Sequence, residues 1–227
     1  MSTAAEIREM FGRVAPRYDQ LNHLLSLQID RFWRWRTARI LRPILKPDSI
    51  VLDLACGTGD LIAALEAAAP ARYFAADFCF PMLVRTRQKS AVPLIEADGL
   101  GLPLRDNTLD CITIGFGFRN FVNYPAALTE LLRVLKPGGT LAILEFTQPP
   151  SSLVRTFMAF WNRYVLDPLG RLISGQGDAY TYLPESVARF PAAPRLKDMM
   201  LEQGFKTVDY RYFDLGIVAL HLGRKAT

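Results

Sequence analysis

Residues 51–61 read VLDLACGTGDL, an apolar run broken by one aspartate and closed by two glycines in a turn. A short run that is almost wholly apolar is the pattern of a strand buried on both faces of a parallel sheet. The following DLIAALEAAA (60–69) has helical periodicity and strong helix formers, so the glycines fall between a strand and a helix. Working outward, the alternation continues. ARYFAAD (71–77) reads as a strand and PMLVRTRQKS (81–90) as a helix opened by proline. VPLIEAD (92–98) and LDCITIGFG (109–117) read as strands, YPAALTELLRVL (124–135) as a helix stopped by KPGG, and TLAILEF (140–146) as a fifth strand. The tail FKTVDYRYFDLGIVALHLGRKA (205–226) reads as two further strands with a turn near DLG. The pattern predicts an α/β fold: a doubly wound, mostly parallel seven-stranded sheet with an antiparallel edge strand and right-handed crossovers. It divides a single domain into an N-terminal helical lid (1–47), a ligand-binding core (48–148), an inserted helical lid rich in Phe, Trp, Tyr and Pro (149–200), and a C-terminal strand pair (201–227).

Composition agrees with one such domain. The chain has 227 residues, 50% of them hydrophobic, enough for a substantial core. Its formal net charge of +5 is a mild basic bias, compatible with an anionic membrane surface or nucleic acid and diagnostic of neither. The N-terminal MSTAAEIREMFGRV carries charges where a signal peptide needs an apolar stretch, so a cytoplasmic protein is expected. Cys56, Cys79 and Cys111 lie far apart without a CxxC pair and are expected as reduced thiols. With His23 and His221 as the two histidines, no metal site is expected.

The glycine loop sits where a ligand meets backbone N–H groups and a helix N-terminus. No Lys-Ser or Lys-Thr follows it, which excludes a Walker loop. Ile62 stands where a dinucleotide fingerprint needs its third glycine. Asp53 and Asp60 flank the turn; carboxylates there repel a pyrophosphate and suit a ligand carrying an ammonium or a sulfonium. Asp77 ends the second strand, where an acid accepts ribose hydroxyls, and Asp98, with Gly99 behind it, ends the third and can contact an adenine edge. Each acid alone is equally well a helix cap or a solvated turn residue. Together they mark the carboxyl edge of the sheet, where open α/β folds bind ligands.

Longer stretches carry a resemblance. YDQLNHLLSLQIDRFW (18–33) looks like the Y-D-x-M-N-x-x-x-S-x-G-x-H-R-x-W signature of the ubiquinone/menaquinone biosynthesis C-methyltransferase family. RVLKPGGTLAILEFT (133–147) matches that family's second signature, and FGFRN (116–120), YLPESVARFP (182–191) and GIVALHLG (216–223) are similar to further landmarks in the same order. The resemblance implies a class I S-adenosylmethionine-dependent methyltransferase, with S-adenosylhomocysteine as product. By resemblance Thr58, Asp77, Asp98, Gly99 and Gly115 match cofactor positions, Gly57 and Gly59 let the backbone approach the methionine part, and Asp53 orients the ammonium group. Cys56, inside the loop, reads as a small buried residue.

The implied reaction methylates an aromatic carbon of a prenylated quinol in respiratory quinone biosynthesis. Demethylmenaquinol is favoured over the benzoquinol precursor of ubiquinone, and another small hydrophobic phenol is the further alternative. Arg119 and Asn120, past the fourth strand, are expected to bind the developing phenolate oxygen, and Tyr18 to add a hydroxyl from the N-terminal lid. His23 has the intrinsic pKa of a base, but a lone histidine is more often structural. Three departures fall in the first signature: Leu21 for Met, Gln28 for Gly and Asp30 for His. No catalytic role passes to Asp30. RFWRWRTARILR (31–42) suits either the headgroup region of a bilayer, giving weak peripheral association, or a helix with its aromatics in the core and a solvated basic face. LVRTFMAFWNRYVL (153–166) suits a greasy channel or a buried helix. A nucleic-acid partner is not expected, and an oligomer is compatible with the sequence.

Overall fold

Why the strand at 50–54 forms where it does is visible in its side chains: Val51, Leu52 and Leu54 are fully buried, as a central parallel strand requires. The computed structural model describes residues 4–15, 26, 28–161 and 185–227. Helices α1 (Ala4–Val14) and α2 (Ile29–Leu41) precede strand β1 (Ile50–Leu54). There follow α3 (Asp60–Ala68), β2 (Arg72–Asp77), α4 (Phe80–Thr86), β3 (Leu94–Glu96) and β4 (Leu109–Gly115). Then come α5 (Tyr124–Val134), β5 (Leu135–Phe146), α6 (Ser152–Trp161), α7 (Ala193–Glu202), β6 (Thr207–Phe213) and β7 (Val218–Arg224).

The strands form one seven-stranded sheet in the order β3-β2-β1-β4-β5-β7-β6. β3 through β5 are parallel, and β7 runs antiparallel to both β5 and β6. The antiparallel strand therefore lies one place in from the edge, which β6 occupies. Chain order reverses between β1 and β4, so a crevice opens at their carboxyl ends.

Alternation along the strands sorts the two faces. Val51, Ala75 and Cys111 join Trp33, Ala38 and Leu41 of α2 and Leu61 and Leu65 of α3 in one apolar layer. Leu52, Ala76 and Ile112 pack on the other face against Leu128 and Leu131 of α5 and Leu196 and Met200 of α7. Asp53 and Thr113 follow Val51 and Cys111 by two residues, so they share the face covered by α2 and α3.

Two boundaries differ from the sequence reading. Helix α5, capped by the Asn123 side chain accepting from the Ala126 amide, ends at Val134, but the chain does not leave the sheet there. β5 starts at once with Leu135 opposite Leu109, and the next pair is Thr140 opposite Cys111. KPGG is thus a bulge within a strand; Gly138 reaches φ +75°, and Lys136 anchors the bulge to Asp110 at 2.7 Å. The second difference is α7. It falls in the segment expected as a lid, yet Ala193, Leu196 and Met200 are buried and the helix packs on β6, β7 and α5. Most of the remaining expected lid, 162–184, lies outside the described residues.

Candidate active site

The glycine loop curls because three of its residues take left-handed backbone angles: Ala55 at φ +52°, Gly57 at +57° and Gly59 at +88°. Gly59 has a second constraint, since a Cβ there would sit 2.8 Å from Thr86 Cγ2 of α4. Thr86 itself donates its hydroxyl to the Gly57 carbonyl at 2.8 Å, while the Gly57 amide donates to Asp77 Oδ2 at 2.9 Å. Both polar groups of Gly57 are therefore held by the protein. Lys89 closes the outer side, reaching Thr58 Oγ1 at 3.2 Å and Asp60 at 2.5 Å.

An open cleft lies over this loop. Asp53, Gly57, Thr58, Asp77, Asp98, Gly99 and Gly115 line it, as do Phe11, Arg34, Phe116, Asn120 and Phe121. Gly59 does not; it caps the start of α3 and gives the loop its shape. Gly99 permits close packing, because a Cβ would lie 2.3 Å from the Phe121 ring. Asp98 is exposed and accepts from the Leu100 amide at 2.9 Å.

The two inner acids are unusual. Asp53 is fully buried; its Oδ1 accepts from Thr113 Oγ1 at 2.7 Å, and its Oδ2 has no hydrogen-bond partner among the described residues. Burial pushes its pKa up to about 7, against the Thr113 hydrogen bond and the Arg34 charge, which lower it. Asp77 accepts from the amides of Gly57 and Cys79, each at 2.9 Å, and burial pushes its pKa up to about 6 despite them. Cys56 is buried, and burial beside Asp77 and Asp53 raises its pKa well above the ordinary thiol value, so it is inert.

The expected catalytic residues divide. Asn120 lines the cleft. Arg119 does not line it: its Nη1 pairs with Glu145 Oε1 at 2.9 Å and donates to the Phe116 carbonyl, its Nε reaches Ser186 Oγ at 3.3 Å, and its amide donates to Glu145 Oε2 at 3.2 Å. Tyr18 and His23 lie outside the described residues. Phe116, at φ +60°, meets Phe146 at 4.9 Å and Trp33 at 5.8 Å between ring centroids, giving an aromatic wall beside Arg34. Sequence reasoning passed over Arg34, reading it as part of a basic aromatic helix. The available signal was Asp30 one turn earlier, the i,i+4 spacing that lets the two pair.

Among the described residues there is no metal-binding cluster, and no helix is long and apolar enough to cross a membrane.

Comparison with known proteins places this geometry. The model of the ubiE/COQ5 methyltransferase family matches residues 1–225. A demethylmenaquinone methyltransferase of Thermus thermophilus is 47% identical over 94% of this chain and 99% of its own. A ubiquinone/menaquinone biosynthesis C-methyltransferase of Syntrophotalea carbinolica is 42% identical over 96% and 93%. Among solved structures, an S-adenosylmethionine-dependent methyltransferase of Thermotoga maritima superposes with a TM-score of 0.67 at 17% identity, covering 96% of this chain and 99% of the other, which shows the shared fold.

Proposed function

The chain belongs to the ubiE/COQ5 methyltransferase family, and from that premise we propose that it methylates a ring carbon of demethylmenaquinol to give menaquinol. It is an S-adenosylmethionine-dependent methyltransferase. The end-to-end likeness to the Thermus thermophilus relative carries the choice of substrate. The alternative within the same chemistry is the benzoquinol precursor of ubiquinone, favoured by the name of the Syntrophotalea carbinolica relative.

The residues present fit the cofactor. Asp77, ending β2, and Asp98, just past β3, line the cleft and are the acids assigned to the ribose and adenine, and the buried Asp53 has an oxygen to spare for a cation. Bound S-adenosylmethionine supplies an electrophilic methyl group on its sulfonium. The protein supplies position and field. Trp33, Phe116 and Phe146 make the apolar side on which a flat ring can stack. The Asn120 amide can donate to the ring oxygen as charge develops there. Arg119 is a positioning residue for Asn120, fixing the turn that carries it against β5 through Glu145. The resemblance also implicates Tyr18, which lies outside the described residues.

A mass-spectrometric assay with S-adenosylmethionine and both reduced, prenylated quinols tests the reading. One methyl on the ring carbon of demethylmenaquinol is the expected product. Methylation of the benzoquinol alone would move the enzyme to the other pathway, and turnover only of tailless phenols would overturn both.

Weak association with an anionic membrane surface is proposed for α2. The structure splits its aromatics: Trp33 enters the core, while Phe32 and Trp35 are 47% and 51% exposed and stack on each other. Ile29, Arg31, Arg36 and Arg39 share the exposed side. The β6–β7 turn docks beside them through Trp33 to Asp214 and adds Leu215, 77% exposed. Apolar groups among arginines suit the headgroup boundary. Co-sedimentation with vesicles containing anionic lipid at low salt should fall when Phe32 and Trp35 are both replaced by Ser; a wild type that stays unbound would end the idea.

A further inference from the structure

Arg34 is ion-paired with Asp30 on one side and keeps donors to spare on the other. Its side chain is 10% exposed and lines the cleft. Its Nη1 donates to Asp30 Oδ2, and Asp30 Oδ1 accepts from Ser26 Oγ at 2.6 Å. Among the described residues Nε and Nη2 of Arg34 make no hydrogen bond, although a guanidinium carries five N–H donors. The Phe116 ring lies 5.1 Å from its Cζ, and its charge acts on Asp53. Arg34 and Asp53 form no ion pair, so the cleft holds a cation with free donors and a buried carboxylate with a free acceptor on one side of the sheet. Buried polar groups left short of hydrogen bonds are costly unless a ligand completes them.

Sheet order says which part of the ligand reaches them. Asp77 and Asp98 take the nucleoside over β2 and β3, so the rest of the molecule extends toward β1 and β4. Asp53 and Thr113 stand there, and α2 brings Arg34 onto the same face. We propose that Arg34 binds the carboxylate of the cofactor's amino-acid end, opposite the Asp53 that the resemblance assigns to its ammonium, with Asp30 as the positioning residue that holds Arg34 in place. The proposal rests on S-adenosylmethionine as the ligand of this cleft. It also gives Asp30, which departs from the family signature, a role through its partner rather than in the chemistry. A zwitterion matches a separated pair of opposite charges, and a guanidinium fork matches a carboxylate.

Calorimetry on the full chain tests it with two ligands: S-adenosylhomocysteine and the analogue that lacks its carboxylate. The wild type should bind the first about 10–100-fold more tightly, the range of hydrogen bonds to a charged group. Arg34→Met should lose about that factor for S-adenosylhomocysteine and bind the analogue within about twofold of wild type, which also shows the variant is folded. Arg34→Lys should retain part of the affinity. Asp30→Asn should weaken S-adenosylhomocysteine and raise the KM for S-adenosylmethionine with kcat kept, and add nothing further in the Arg34→Met background. A wild type that binds neither ligand fails the cofactor reading itself. One that binds both equally, or an Arg34→Met that weakens both equally or only raises the KM for the quinol, overturns the clamp and leaves the cofactor standing. Full additivity of Asp30→Asn with Arg34→Met removes the positioning role.

Discussion

Two buried carboxylate groups at strand ends of this sheet are treated in opposite ways. At β5, Glu145 is 1% exposed and completely engaged, by the Arg119 guanidinium and by the amides of Arg119 and Phe146. At β1, Asp53 is as deeply buried, yet one oxygen has no hydrogen-bond partner among the described residues and its pKa is pushed up to about 7. Burial is the same; completion differs. A carboxylate completed by its own chain is a strut, whereas one left short is held ready for something the chain does not contain.

The strut should be the easier half to break. Glu145→Gln removes the carboxylate from the buried pair with Arg119 and should cost about 3–5 kcal/mol of stability in urea unfolding, the usual cost of halving such a pair. A loss below about 1 kcal/mol would erase the contrast. The ligand half shows itself through pH. Folding raises the Asp53 pKa from 3.8 to about 7, so the folded chain keeps a proton that the unfolded chain releases between those values. Its contribution to stability is full below about pH 4 and is lost as pH rises through about 7, by an amount on the order of 2–4 kcal/mol. Wild type should therefore lose stability relative to Asp53→Asn across that window; His221 titrates in both proteins and cancels. A flat difference would show that Asp53 is already completed. The smallest effect is read in ligand binding rather than in unfolding. Asp77→Ala should weaken S-adenosylhomocysteine about a hundredfold, or ~2.7 kcal/mol, as measured by calorimetry, and near-normal affinity would refute the ribose assignment.

The fold could be read from sequence because strand–helix alternation and terminal caps are local signals. VLDLACGTGDL announced β1, the loop and α3 by period and glycine alone. KPGG misled at one point, since proline and glycine end a helix and build a bulge with the same chemistry; only the pairing of Leu135 with Leu109 separates the two. The acids lining the cleft were legible because strand ends fall at fixed places along the chain. Arg119 and Arg34 show what was not. Arg119 looked like a substrate ligand from its place beside Asn120, but its partner Glu145 lies 26 residues on and meets it only because β4 and β5 are neighbours. Arg34 reaches the cleft only because α2 folds back over α3, which no local pattern states.

Thr86 gives a last consequence. It lies on α4, outside every stretch that resembles a family signature, yet its hydroxyl holds the Gly57 carbonyl and its methyl fills the space that only glycine leaves at position 59. Over evolutionary time position 86 is therefore not free to drift as an ordinary helix residue. Substitutions there and in the loop constrain one another, so the heritable unit of this cofactor site is the loop together with the helix that braces it.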